Sequence, residues 1–579
     1  MRFYKSVFKL LLTLIISLSG YAAFAQNGTV RGFVYDSKTG EPVIFTNVYL
    51  EGTKYGIPTD VNGYYTLSKV PGGRYKLTVS GIGYEKFQED IEIVENKIIT
   101  KKITIIPNSR DINTVEISAE KQEAKTDVRM SVAKITPKEI KTLPSVGGEP
   151  DIAQYMQVLP GVIFSGDQGG QLYVRGGSPI QNKVMLDGMV IYNPFHSIGL
   201  YSVFDTDIIR NADVYTGGFG AKYGGRISAV MDITTRDGNK NNLSGKLSLS
   251  PFGAKALLEG PLKKQGESGG SSSFIISARN SYLKQTSKIF YDYVNTGGVG
   301  LPFNFSDLYG KVSFNSGTGS KFNAFGFNFT DNVRYQGISD LGWTNYGLGT
   351  NFVLVPAGNP VLIEGNLSYS NYKIGLEEPG LTKRTSEIGG FNLGFDFTYF
   401  KGDNEIKYGI QVLGFSTDFR YNNGSGGALQ QQENTTELAG YFDYKIATGL
   451  LVIDPSIRYH YYASLSEGSL EPRLGLKYNI SEFVRFKAAV GKYSQNLISA
   501  NSDRDVVNLF YGFLSGPDNL PSTFTKPNGE QATRKSSLQK ATHYIAGFEV
   551  DVTKNISVNV EGYYKVFNQL TNTNRNKIY

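Results

Sequence analysis

The feature that most constrains this chain is a pattern that fills almost everything after Arg236. About fifteen segments alternate with a period of two, so that Leu, Val, Phe and Tyr fall on one face and Asn, Ser, Lys and Asp on the other. Segments of about ten such residues, with aromatic residues near their ends, are typical of a transmembrane β-barrel that is apolar outside and polar inside. The pattern predicts an antiparallel barrel over residues 239–579.

The connections between these segments alternate in length, as they do in outer-membrane barrels with short periplasmic turns and long outer loops. A soluble propeller or sandwich would not need this alternation. The predicted short turns are 316–320, 356–360, 401–404, 447–449, 480–482 and 553–555. The predicted long loops are 331–342, 375–385, 422–434, 464–469 and 494–541.

Composition supports β structure and excludes some chemistry. The chain has 579 residues, enough for several domains, and holds 67 Gly, 38 Tyr and 35 Phe with only 19% charged residues. It has no cysteine, so a disulfide, a thiol nucleophile and a thiolate metal site are impossible. The formal charge of +7 is modest and its Lys and Arg residues are scattered. Nucleic-acid binding therefore has little support.

A mixed α/β region precedes the alternating segments, between Asp151 and Arg236. Asp151 can cap a short helix whose apolar face carries Ile152, Tyr155, Met156 and Leu159. Short apolar runs follow at 172–174, 183–186, 212–215 and 229–233, separated by glycine-rich turns.

Four motifs in this region occur in a fixed order: LPGV at 159–162, YVRGG at 173–177, MLDG at 185–188 and VYTGGFGAKYGGRIS at 214–228. Together they resemble the plug domain of TonB-dependent outer-membrane receptors. We therefore assign residues 126–238 to a plug domain. The alternative is a soluble α/β domain with many tight turns.

The chain before the plug divides into three parts. Residues 1–25 have the charged start, apolar centre and Ala-Phe-Ala end of a secretory signal peptide. Residues 26–107 alternate in short strands and predict an antiparallel β-sandwich. This part resembles the carboxypeptidase-regulatory-like domain that often precedes the plug in TonB-dependent receptors of the Bacteroidetes type. Asp60 and Asn62 could be metal ligands, but Asx residues before glycine are typical of a tight turn, and we predict a turn.

Residues 108–125 form a polar linker, within which 112–118 resembles a TonB box. Such a segment would add its backbone to the edge of a partner's sheet. The alternative is a plain linker or a last strand of the sandwich. The residues of the candidate box are Ile112, Asn113, Thr114, Val115, Glu116, Ile117 and Ser118.

The strand count departs from the family that the chain resembles. Those receptors close with 22 strands, whereas the sequence predicts about fifteen. We therefore expect the barrel to be incomplete at its C-terminal end. An open edge leaves polar backbone groups unsatisfied in lipid, so the chain as given is not expected to insert stably.

Charged and loop residues of the plug are the candidate site. Arg175, Asp187 and Arg226 lie within its turn motifs, and we predict that they pair inside the polar lumen; pairs that hold the plug until it is pulled are the alternative. The resemblance implies that the plug loops 168–170, 177–180 and 193–199 face the ligand. The candidate ligand-facing residues are Gln168, Ser178, Pro179, Asn193, Phe195 and His196.

No catalytic or metal-binding motif is found. His196, His460 and His543 lack metal-ligand spacing, and P-loop, GxSxG and HExxH motifs are absent from the sequence. For His196 a role in stabilising its loop competes with ligand binding, and His460 and His543 are expected to be ordinary strand residues. We predict no enzyme activity, no cofactor and no resident metal.

The resemblance implies a receptor in the outer membrane, with its N-terminal domain in the periplasm. It would bind a scarce or bulky extracellular ligand and import it with energy transmitted by TonB and its inner-membrane complex. Siderophore, cobalamin, oligosaccharide and peptide ligands all stay open. The rivals are a signalling receptor, which usually has a different N-terminal module, and a surface-binding protein without transport.

Overall fold

The structure is a computed structural model that describes residues 27–108, 128, 130–145, 148–165, 170–264, 270–290, 299–422, 428–500, 510–515, 522–526, 528–553 and 556–571. The predicted signal peptide, the candidate TonB box at 112–118 and Gln168 lie outside the described residues. The fold is mainly β, as predicted. No helix among the described residues is long and apolar enough to cross a membrane.

The N-terminal domain is a sandwich of two sheets, with strand orders β4-β1-β7 and β3-β2-β5-β6. Its strands are β1 (Asn27–Asp36), β2 (Asn47–Leu50), β3 (Gly56–Pro58), β4 (Tyr64–Pro71), β5 (Gly73–Ser80), β6 (Phe87–Ile93) and β7 (Ile98–Ile105). The expectation of purely antiparallel pairing is wrong for one pair, because β7 runs parallel to β1. The short connection after β6 carries the chain from one sheet to the other, so that β7 enters beside β1 in the same direction.

The turn between β3 and β4 has the geometry expected of Asx residues. Asp60 Oδ1 accepts hydrogen bonds from the backbone N–H groups of Asn62 and Tyr64, both at 2.8 Å. The Asp60 carboxylate is thus used in closing the turn.

The plug has a five-stranded sheet of order β12-β11-β14-β13-β8 and a separate hairpin of β9 and β10. Asp151 caps the second helix as predicted, since its Oδ1 accepts from the N–H of Ala153 at 2.8 Å. That helix ends at Met156, before the predicted Leu159. The elements are β8 (Val132–Ile135), α1 (Pro137–Ile140), α2 (Ile152–Met156), β9 (Val162–Ser165), β10 (Gln171–Val174), β11 (Asn182–Leu186), β12 (Met189–Val190), β13 (Ile209–Tyr215) and β14 (Ala229–Thr235).

The rest of the chain forms one antiparallel sheet of fifteen strands, which matches the predicted count. Its order is β15 to β27, then β32 and β33. The strands are β15 (Ser244–Leu249), β16 (Gly253–Lys263), β17 (Ser271–Ser281), β18 (Phe303–Asn315), β19 (Lys321–Tyr335), β20 (Ser339–Leu354), β21 (Val361–Glu377), β22 (Arg384–Lys401), β23 (Asn404–Asn422), β24 (Ala428–Thr448), β25 (Leu451–Tyr462), β26 (Glu467–Asn479), β27 (Val484–Gln495), β32 (Gln539–Asp551) and β33 (Ser557–Gln569).

Several predicted long loops are partly strand. Strands β19 and β20 stay paired up to Tyr335 and Ser339, so the predicted loop 331–342 shrinks to three residues. Backbone hydrogen bonding continues past the point where the apolar alternation ends, and the sequence pattern does not report it.

Four short strands and one helix were also not predicted. They are α3 (Leu283–Phe290), β28 (Leu497–Ser499), β29 (Phe513–Ser515), β30 (Thr523–Thr525) and β31 (Gln531–Thr533).

The two faces of the sheet differ as the alternation predicts. Large apolar side chains such as Leu247, Leu348 and Ile410 are 71%, 73% and 58% exposed on one face. The other face buries Lys311, Asn323 and Asn345 against the plug. The sheet is therefore apolar outside and polar inside.

The sandwich docks on the end of the sheet that carries the short turns. Arg31 is buried and donates to the carbonyl of Pro356 at 2.5 Å and to the carbonyl of Asn359. Nearby, Phe33 and Tyr64 pack with Val353 of the sheet in one apolar cluster. The opposite end of the sheet carries the loops that approach the plug's ligand-facing motifs.

Candidate ligand site on the plug

The plug fills the concave side of the large sheet. One continuous apolar core contains Leu186 and Phe195 of the plug together with Phe305, Phe327 and Tyr372 of the sheet. Burial of such side chains is worth about 1.5–3 kcal/mol each. The plug is thus held by an extensive apolar interface, within which the polar contacts described below are set.

A cavity of about 700 Å³, partly open to solvent, lies at the plug loops. The predicted residues Pro179, Asn193 and Phe195 line it, and Tyr511 and Phe513 contribute from the long loop before β32. Phe513 contacts the plug through an edge-to-face pair with Tyr192, whose ring centroid is 5.6 Å away. Residues of the plug and of the loop before β32 thus line one common space.

Two other predicted ligand-facing residues are placed differently. His196 is fully buried, and its Nε2 and Nδ1 lie 3.0 Å from Oδ2 of Asp307 and Oδ2 of Asp331, so its ring does not line the cavity. Burial lowers the pKa of His196, but the two carboxylates outweigh burial and raise it above its ordinary value. Ser178 is also buried and does not line this cavity. The geometry favours the alternative role for His196, in which it holds its loop.

Two of the three plug charges are bonded to neighbours. The Arg175 guanidinium donates to Glu561 Oε2 at 3.0 Å and to Ser131 Oγ at 2.7 Å. The Asp187 carboxylate accepts from the backbone N–H of Thr235 at 2.9 Å and lies 3.4 Å from Lys311 Nζ. These contacts agree with the structural pairing expected of charges in a polar lumen.

Both residues also have unusual backbone conformations. Arg175 has φ of 46° and Asp187 has φ of 51°, and each precedes a glycine that also has positive φ. Non-glycine residues rarely adopt this conformation, which persists where surrounding contacts hold it in place. The side-chain bonds of these two residues therefore help to fix the plug's tight turns.

The third plug charge, Arg226, lines the cavity instead of pairing. Its Nη1 donates to the adjacent carbonyl of Gly225 at 2.7 Å, and no carboxylate among the described residues lies within 4.0 Å of it. The prediction of structural pairing is therefore not supported for Arg226.

The sequence did not predict a charged cluster around Asp237. The fully buried Asp237 carboxylate lies 2.6 Å from Lys321 Nζ, 3.1 Å from Arg210 Nη2 and 3.4 Å from Lys240 Nζ. Burial alone would raise the pKa of Asp237, but these cations outweigh it and hold the pKa well below its usual range. The inward register of β19 could have placed Lys321 in the lumen, but nothing local links it to Asp237.

A second cavity, of about 1,050 Å³, lies between the plug and the wall of the sheet. The sandwich turn forms one side of it through Val61 and Asn62, and Lys183 and Asp232 of the plug line it as well. Burial raises the pKa of Asp232 to about 6, although Lys222 opposes the shift. A polar space therefore runs beside the plug towards the sandwich.

The other histidines lie on strands, as expected. His460 Nε2 is 3.0 Å from Glu437 Oε2, and His543 Nε2 lies 2.9 Å from the carbonyl oxygen of Ile227. Within the described ranges, no three His, Cys, Asp or Glu side chains form a group that could hold a metal ion.

Replacing Arg175 with glutamine is expected to lower the free energy of unfolding by about 1–3 kcal/mol, because Glu561 keeps Ser131 but loses its cation. Urea unfolding of the purified protein in detergent micelles measures the change. The matched control is Arg420→Gln, whose pair with Asp418 is exposed and is expected to contribute nothing measurable. Equal losses in the two variants would contradict the structural role of Arg175.

Two known domain families match this chain. Residues 30–117 match the CarboxypepD_reg-like domain, and residues 124–230 match the TonB-dependent Receptor Plug Domain. The first match extends past the predicted sandwich boundary at 107 and overlaps the candidate TonB box. It therefore keeps open the alternative in which that segment belongs to the sandwich.

The chain is also similar to full-length receptors. It is 32% identical over 253 residues to the TonB-dependent receptor SusC of Bacteroides thetaiotaomicron, covering 42% of this chain and 24% of SusC. It is 23% identical over 264 residues to the TonB-dependent transporter Oar of Myxococcus xanthus, covering 44% of this chain and 24% of Oar. The matched part spans about a quarter of the length of these relatives.

Solved structures share the fold at low identity. The ferric enterobactin receptor PfeA of Pseudomonas aeruginosa superposes with a TM-score of 0.54 at 14% identity, over 76% of this chain and 72% of PfeA. The hemophore receptor HasR of Serratia marcescens, in complex with HasA and heme, gives a TM-score of 0.55 at 11% identity, over 77% of this chain and 74% of HasR.

The fold is thus of the class in which a plug domain sits inside a large antiparallel sheet of the outer-membrane receptor type. In chain order, a CarboxypepD_reg-like domain is followed by a TonB-dependent Receptor Plug Domain and the large sheet, and the chain is similar to the TonB-dependent receptor SusC.

Proposed function

We propose that this protein binds a scarce or bulky extracellular ligand at the plug cavity and imports it across the outer membrane with energy transmitted by TonB. The observation that carries the proposal is the cavity that the plug loops share with Tyr511 and Phe513. Because plug residues form part of this site, ligand binding there can change the conformation of the plug.

The ends of the molecule support this direction. The sandwich contacts the short turns through Arg31, and Ser68 Oγ accepts from the backbone N–H of Gly402 at 2.8 Å. The cavity lies under the long loop that precedes β32. Since barrels carry short turns on the periplasmic side and long loops outside, we place the sandwich in the periplasm and the cavity towards the exterior.

Proteins with a similar fold bind several classes of ligand. PfeA is a ferric enterobactin receptor and HasR binds a hemophore with heme. Siderophore, cobalamin, oligosaccharide and peptide all stay candidates for this chain. The second cavity, beside the plug, is a candidate route for the ligand once the plug and the sandwich turn have been displaced.

The proposed coupling runs through residues 112–118. Val115 and Ile117 would face one side of an extended segment that pairs with the edge of TonB's sheet. The rival without transport is a surface-binding or signalling receptor, whose ligand capture would not need TonB.

Val115→Pro is expected to abolish uptake while leaving ligand binding at the cell surface intact, because proline removes the backbone donor that strand addition needs. Uptake and surface binding are measured with labelled candidate ligands in cells that express the protein from its gene. Lys121→Pro, in the same linker but outside the segment, is the matched control. Unchanged uptake in Val115→Pro would mean that transport does not run through this segment.

A further inference from the structure

We propose that Arg226 is the anchor for a carboxylate on the ligand, and that the ligand carries an apolar or aromatic body beside this group. The inference rests on the proposed function in one respect, since it takes the plug cavity as the ligand site. It adds the chemical class of the ligand and the residue that selects it.

The first observation is the incomplete bonding of Arg226. Arg226 lines the cavity, and among the described residues it donates to one acceptor, the carbonyl of the preceding Gly225. Its Nε is buried and makes no hydrogen bond with any described residue. The nearby Glu437 is engaged by His460 Nε2 at 3.0 Å. A guanidinium has five N–H donors in a planar fork, so most of its donors have no acceptor among the described residues.

Several buried arginines of the described residues pair with carboxylates, whereas the buried Arg31 and Arg458 donate to uncharged oxygens. Arg175 pairs with Glu561, Arg279 with Asp307 at 2.7 Å, Arg473 with Glu471 at 2.7 Å and Arg485 with Glu549 at 2.9 Å. A buried charge without a counter-ion is costly, which is why buried charges are normally paired. Arg226 is half-buried and has no carboxylate partner among the described residues, at a position where a ligand can supply one.

Neighbouring cations add to the positive field. Lys183 lines the second cavity, beside the plug, and its Nζ donates to the carbonyl of Gly224 at 3.3 Å. Its pKa is lowered to about 7 by burial and by repulsion from Arg458 and Arg226. This cluster favours a negatively charged ligand group over a neutral one.

The walls of the cavity define the rest of the ligand. Leu172, Ile180, Phe195 and Phe513 offer apolar and aromatic surface next to the guanidinium. Asn182 donates to the carbonyl of Leu172 at 2.6 Å, while its Oδ1 is buried and accepts no hydrogen bond from a described residue. The cavity therefore suits a molecule with a carboxylate, an adjacent N–H or O–H donor and an apolar body.

The test uses the purified full chain in detergent micelles and two probes of nearly equal shape. N-acetyl-phenylalanine carries the carboxylate, and N-acetyl-phenylalanine amide does not. Affinities are measured by ligand-observed NMR titration. We expect the wild type to bind the acid about 10- to 100-fold more tightly than the amide, as a charge-assisted bidentate contact allows. Arg226→Gln should remove this preference, and Arg226→Lys should retain part of it.

Two controls separate binding from folding. Arg226→Gln should not lower the midpoint of thermal unfolding, because it removes a half-buried charge that has no carboxylate partner among the described residues. Arg175→Gln should lower the midpoint but keep the preference for the acid. Equal affinity for both probes in the wild type, no binding of either probe, or a preference that survives in Arg226→Gln would each overturn the proposal.

The failure of this proposal can be told from the failure of transport. Val115→Pro lies outside the cavity and should keep the full preference for the acid in micelles. If the wild type prefers the acid probe but uptake does not need TonB, only the proposal of energised transport is contradicted. If the wild type shows no preference for the acid probe but uptake depends on Val115, only the proposed role of Arg226 is contradicted.

Discussion

Replacing Asp237 with alanine is expected to lower the free energy of unfolding by about 3–5 kcal/mol, the loss typical when one partner of a buried ion pair is removed. Asp237 joins the end of the plug to the inner wall of the sheet. It is the shared counter-ion of Lys321, Arg210 and Lys240, and Lys311 lies 3.9 Å away. Without it, four buried cations repel each other, three of them beside the second cavity.

The variant should therefore release the plug before the sheet unfolds. Urea unfolding in micelles measures the stability, and the uptake of a large antibiotic that the intact outer membrane excludes measures plug release in cells. Asp237→Asn should lose almost as much as Asp237→Ala, because the amide keeps the size but not the charge. Asp340→Ala is the control, since its pair with Arg334 is exposed and contributes little. A loss no larger than that of Asp340→Ala would contradict the counter-ion role.

Replacing His196 with alanine is expected to cost about 2–4 kcal/mol near pH 6, from two charge-assisted hydrogen bonds and the packing of a buried ring. The ring bridges Asp307 and Asp331, which lie on different strands, and stacks on Phe305 with centroids 4.0 Å apart. The contact fixes the loop after β12 to the wall of the sheet.

This contribution depends on pH in a defined direction. The carboxylates raise the pKa of His196 in the folded protein above its ordinary value, which is about 6.5 in an unfolded chain. The stabilisation is therefore fully present below about pH 6.5 and is lost as the pH rises through the folded-state pKa. Thermal unfolding of wild type and His196→Ala should differ most near pH 6 and less at pH 9.

The part of the effect that comes from charge can be separated from packing. His196→Gln keeps most of the side-chain volume and can still donate a hydrogen bond, but it does not titrate. This variant should lose the pH-dependent part of the stabilisation by His196 and retain much of the pH-independent part. A difference from wild type that is constant from pH 6 to pH 9 would show that His196 is not charged in the folded protein.

The sequence alone determined the architecture, because the relevant patterns are local. Alternation with a period of two marked the strands of the sheet, and its fifteen strands agree with the predicted count. The plug motifs marked tight turns that the backbone confirms at Gly176, Gly188 and Gly225, each with positive φ. The contacts that determine these strands and turns lie within a few residues along the chain, so the local side-chain pattern predicts them.

Only the tertiary structure decided which charges meet. Asp237 and Lys321 are 84 positions apart, and Arg175 and Glu561 are 386 positions apart, so no local pattern could pair them. The same register that pairs these residues leaves Arg226 facing the cavity and turns His196 away from it. Sequence thus set the strands and turns through short-range propensity, whereas the charges of the site were assigned by the packing of the plug against a wall distant in the chain.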